Sequence, residues 1–85
     1  MRQIEKEMLA AIAAGRDWSK DNTKVIGPRV LLHGHHIATL GNDGVLVNTD
    51  TLRQWPTRTT MSRLRALGVN VCTRKGEVLL NGEAI

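Results

Sequence analysis

Between Thr23 and Thr51 the apolar residues come only in short pieces. "TKVIG", "RVLLHG", "HHIATLG" and "VLVNTDT" are rich in β-branched side chains and are separated by Gly27-Pro28, Gly34 and "GNDG". Pieces of this length between turn residues read as strands, and turns this tight return the chain antiparallel to itself. Asp43-Gly44 is the strongest hairpin turn of the set, because two consecutive positive φ angles cost glycine nothing and aspartate little.

The flanks have a different period. In "MRQIEKEMLAAIAAG" apolar residues recur at Met1, Ile4, Met8, Ala11 and Ile12, the spacing of an amphipathic helix, and Gly15 offers a stop. "RDWSKDN" then reads as a polar connection whose one large side chain, Trp18, folds back over the core edge. After Trp55-Pro56, Met61, Leu64 and Leu67 fall three apart and Gly68 follows, which marks a second helix. Thr57, Thr59 and Thr60 all suit its N-cap, with Thr59 the choice. The tail alternates at Val69, Val71 and Thr73, turns at Lys75-Gly76 and resumes with Val78 and Leu80, a hairpin. The expected architecture is one α+β domain over residues 1–85, order α-β-β-β-α-β-β, with a single antiparallel sheet and both helices on one of its faces.

Eighty-five residues leave room for one core. With two Trp, no Phe and no Tyr, that core must be aliphatic. The small size also leaves a homodimer open. Twelve Lys and Arg against eight Asp and Glu give a net charge of +4, which favours an anionic partner, nucleic acid or an acidic protein surface. The single Cys72 excludes an intramolecular disulfide and suits a reducing compartment. Residues 1–14 are apolar on one side only, so they form neither a signal peptide nor a membrane span.

The candidate site residues gather around the second helix. If Met61, Leu64 and Leu67 face the sheet, Arg58, Ser62 and Arg65 line up on another face with Arg63 to one side, and the arginines point outward together. Arg74 and Lys75 at the tip of the C-terminal hairpin extend that basic surface, and the Thr59 and Thr60 hydroxyls suit phosphate. The plainer alternative makes Arg63 and Arg65 solvating residues favoured near a helix C-terminus. Trp18 and Trp55 are candidate anchors for a protein partner, but two tryptophans are too few for a stacking platform on single strands. "HGHH" (His33, His35, His36) lacks a second ligand pair of recognised spacing, so a polar strand end is preferred to zinc. Cys72, a histidine and Asp50 form a catalytic set only under an assumed geometry, and no glycine-rich phosphate loop occurs. No cofactor and no enzymatic activity are expected.

The order of these blocks resembles a group of small proteins encoded by tailed bacteriophages. They share a helix beginning much like "RQIEKEMLAAI", then "W…NT.V", a strand like "VLLHGHHIA", and a WPTxTTxSRLxAL block, here "WPTRTTMSRLRALG". His35 departs from a pattern that more often has Asn after His-Gly, so no histidine function is carried across. The resemblance implies a context, phage infection in the cytoplasm of a bacterium, and not a mechanism. Small proteins of that origin commonly act by binding, which together with the absence of catalytic chemistry puts a stoichiometric inhibitor of a host or defence protein complex, anti-CRISPR-like in style, slightly ahead. The alternative is a basic DNA- or RNA-binding protein that uses the second helix and the C-terminal hairpin.

Overall fold

A computed structural model describes all 85 residues. Helix α1 (Gln3–Ala13) leads into five strands: β1 (Trp18–Lys20), β2 (Thr23–Ile26), β3 (Arg29–Leu32), β4 (His35–Gly41) and β5 (Gly44–Val47). Helices α2 (Thr49–Gln54) and α3 (Arg58–Ala66) follow, then β6 (Val71–Arg74), β7 (Glu77–Leu80) and β8 (Glu83–Ala84). The α+β class holds, as does the succession of helix, strands, helix and strands.

The five strands form an antiparallel meander in sequence order, while β6, β7 and β8 form a second antiparallel sheet. One sheet was expected, and the difference lies at the end of β5. "VLVNTDT" does not run on as a strand: Asn48 accepts a hydrogen bond from the Thr51 backbone N–H at 3.3 Å and so caps a short helix, α2. The chain leaves the meander there. "RDWSKDN", read as a connection, also supplies a strand, since Trp18, Ser19 and Lys20 pair with Val25, Lys24 and Thr23.

Tight turns hold the register. His33-Gly34, Lys75-Gly76 and Asn81-Gly82 each carry positive φ at both central residues, as the primed hairpin turns require. The β4–β5 turn differs from expectation: its central residues are Asn42 and Asp43, Gly41 pairs with Gly44, and only Gly44 has positive φ, at 124°.

Alternation puts Thr23 and Val25 of β2 on one face with their partners Leu32 and Val30 of β3. All four are buried, whereas Lys24 and Ile26 on the other face are exposed. In β4 the register slips by one residue opposite Val30 and Leu31, and the bulge lets the adjacent Ile37 and Ala38 both be buried. Helices α1, α2 and α3 cover this buried face, contributing Met8, Leu52, Met61 and Leu64 to an aliphatic core that Val71 of the second sheet completes. Met1, placed on the apolar stripe by its spacing, is 71% exposed.

Candidate binding face

Helix α3 begins two residues earlier than the choice of Thr59 as cap implies. Thr57, not Thr59, is its N-cap: the Thr57 hydroxyl accepts from the Thr60 backbone N–H at 3.1 Å. Pro56 explains the choice. It disfavours helical backbone in the residue before it, Trp55, and the chain enters the helix directly after an extended Thr57. Arg58 is therefore the first helical residue, and the buried Thr60 hydroxyl is paired with that of Thr57 at 2.9 Å.

The most consequential correction concerns Arg63, which does not point outward. Its side chain is 4% exposed, its Nη1 donates to Glu5 Oε2 at 2.7 Å and its Nε donates to the Thr23 hydroxyl at 3.0 Å. Ser62 donates to the same carboxylate oxygen at 2.5 Å. One cluster thus ties α1, β2 and α3 together, and the Ser62 hydroxyl is spent on it. Burial favours the neutral form of Glu5, but hydrogen bonds from Ser62, Arg63 and the Arg2 backbone N–H, with the Arg63 charge, outweigh it. The pKa of Glu5 lies below its ordinary value of 4.5.

With Arg63 removed from the surface, the outward arginines of α3 are Arg58 and Arg65. They line one groove of about 410 Å³ with Arg2, Pro56, Met61, Ser62, Cys72 and Thr73. Arg65 is held in place by donation from its Nε to the Val71 carbonyl at 2.9 Å. Arg74 and Lys75 continue from Thr73 into the β6–β7 turn, both exposed. Arg2 was not among the residues singled out, because residues 1–14 read as a packing helix.

Beside this groove lies a second feature. Trp55 ends α2, its backbone N–H bound to the Thr51 carbonyl at 2.8 Å, and its ring stacks on His35 with centroids 5.1 Å apart and planes at 26°. The stack borders a hollow of about 170 Å³ whose apolar walls are Leu32, Ile37 and Trp55. Leu32 and His35 are register partners and Ile37 is two residues on, so strand geometry puts all three on one side. Trp18 stays apart on edge strand β1, half-buried against the core as expected for a tryptophan in that stretch. His33 occupies a turn and His36 bonds the Thr39 hydroxyl at 2.8 Å, so the three histidines do not converge. No group of three His, Cys, Asp or Glu side chains is placed to hold a metal ion, and no helix is long and apolar enough to cross a membrane.

The model of one protein family, described as Kyanoviridae Gp96 protein, matches residues 1–84. No curated protein and no solved structure matches the chain.

Proposed function

The chain belongs to the Kyanoviridae Gp96 protein family, a phage family, and from that premise we propose that it is a non-enzymatic binding protein that inhibits a bacterial host or defence complex by occupying it stoichiometrically. The observation that carries this reading is the His35–Trp55 stack. Trp55 is 48% exposed, yet its ring is braced by His35, its backbone N–H is bonded within α2 and its C-terminal side is fixed by Pro56. A large aromatic held rigid at the surface loses little freedom when a partner covers it. Exposed Arg53 and Arg58 flank it in sequence, and tryptophan with arginine is the composition of interface hot spots. The Arg53–Asp50 pair, at 3.2 Å with both side chains over half exposed, is too solvated to hold Arg53 back from such a role.

The test is capture of partners from nuclease-treated bacterial lysate by the tagged protein, its Trp55→Ala variant and its Trp55→Phe variant. A discrete protein retained at fixed stoichiometry, lost with alanine and kept in part with phenylalanine, is the expected result. Equal capture by the alanine variant, or recovery of nucleic acid alone from untreated lysate, overturns the reading.

A further inference from the structure

We propose that the groove between the start of α1, helix α3 and strand β6 binds the phosphodiester backbone of a nucleic acid, an interaction that goes beyond the protein-binding role of Trp55 and adds Arg2 and Arg65 to the Arg58 that flanks that tryptophan. Three guanidinium groups, those of Arg2, Arg58 and Arg65, line this one groove. None of the three has a carboxylate partner, since the ion pairs of the chain are Lys20–Glu7, Arg53–Asp50 and Arg63–Glu5.

Their grouping follows from the fold. The buried Glu5–Arg63 pair docks the first turn of α1 against α3 and brings Arg2 alongside. The Val71 carbonyl fixes Arg65 through Nε and leaves its two terminal nitrogens free to donate. Guanidinium is the side-chain group best matched to phosphate, offering a planar fork of donors. Thr73, also in the lining, adds a neutral hydroxyl, and the exposed Pro56 gives the groove apolar surface against which a sugar can lie. Arg74 and Lys75 carry the positive charge onward from Thr73 into the turn. A positive track of this kind suits a ligand whose negative charge repeats along a line, and contacts confined to phosphate position a strand without reading its sequence.

Binding of mixed-sequence single-stranded DNA, RNA and duplex DNA is measured by fluorescence anisotropy across a salt series, with polyglutamate as a competing polyanion. Three phosphate contacts at about 0.7–0.9 counterions each predict a roughly 20- to 40-fold loss of affinity between 50 and 200 mM salt. Arg2→Ala, Arg58→Ala and Arg65→Ala should each flatten the log–log salt slope by about 0.7–0.9, with thermal melting confirming that each variant is folded.

Cys72 localises the site, because it lines the groove and is the one cysteine of the chain. Bound oligonucleotide should slow its alkylation by iodoacetamide, and polyglutamate should compete poorly. Binding without Cys72 protection, a slope changed only by Arg74→Ala or Lys75→Ala, equal binding of polyglutamate, or no binding at low salt each overturns the proposal. These measurements use purified components and leave Trp55 intact, so their failure is distinct from failure of the protein-binding reading.

Discussion

Glu5 and Arg63 stand 58 positions apart in the chain and meet at 2.7 Å with both side chains 4% exposed. Thr23 accepts from the guanidinium and donates its own hydroxyl hydrogen bond to Asn22 Oδ1 at 2.8 Å, Ser62 donates to the carboxylate, and no buried side-chain polar atom of the molecule lacks a partner. A satisfied buried pair adds little net stability over an apolar replacement, yet breaking it leaves a stranded charge.

Replacing one member should therefore cost far more than replacing both. Arg63→Met alone should lose about 3–5 kcal/mol, much of the roughly 4–13 kcal/mol available to a domain of this length. Glu5→Leu with Arg63→Met should recover most of that loss. Urea midpoints followed by circular dichroism check it, and a double variant no more stable than Arg63→Met alone would contradict the account.

Acid should act through the same carboxylate. The folded-state pKa of Glu5 is depressed, so the unfolded state binds the proton more readily and Glu5 contributes stability above the unfolded value near 4.5. That contribution is lost as pH falls from 4.5 through the lower folded value. Between pH 7 and pH 3 the urea midpoint of the native protein should drop more steeply than that of Glu5→Gln, which has no charge to lose there. Parallel pH profiles would show that other carboxyls govern acid sensitivity.

The cap of α3 separates two neighbouring threonines. Thr57→Ala should cost about 1 kcal/mol, because the Thr60 N–H loses its acceptor. Thr59→Ala, which removes no hydrogen bond of the helix start, should stay within about 0.5 kcal/mol. Comparable losses in denaturant unfolding would refute the assignment of the cap.

Gly34 has φ of 81° and nothing within 4 Å of where a Cβ would stand. Gly34→Ala therefore tests backbone strain free of side-chain clash, with an expected cost of about 1–2 kcal/mol. His35 follows directly, so the same variant should loosen the Trp55 stack and lower steady-state tryptophan anisotropy. An unchanged anisotropy would uncouple the turn from the stack.

Much of this fold was legible because its signals are local. Xaa-Gly turns at His33-Gly34 and Lys75-Gly76 fix two hairpins without reference to anything distant, and Met61, Leu64 and Leu67 mark α3 by spacing alone. Helix α2 was hidden because Val45 and Val47 have the alternation of a strand, although Asn48, a good N-cap with Asp50 in the first turn, was a readable signal. Arg63 was misplaced because a charged residue is ordinarily taken to be solvated. Its clue was Glu5, a carboxylate between Ile4 and Met8 on the apolar stripe of α1; one charge on each of two apolar faces, of opposite sign, marks a pair. The groove was legible only in part: spacing puts Arg58, Ser62 and Arg65 on one face of α3, but Arg2 joins them only through the pair that docks α1.

The distance along the chain between Glu5 and Arg63 also sets an order of events during synthesis. At about 5–20 residues per second, roughly 3–12 s separate their appearance. The meander is made in that interval and is closed by turns between neighbouring strands, so it needs nothing from the unfinished part of the chain. The buried carboxylate of α1 has no charged partner until Arg63 arrives. The clasp that brings Arg2 beside Arg58 and Arg65 must wait for α3, and the groove, lined also by Cys72 and Thr73, is whole only once β6 has been made.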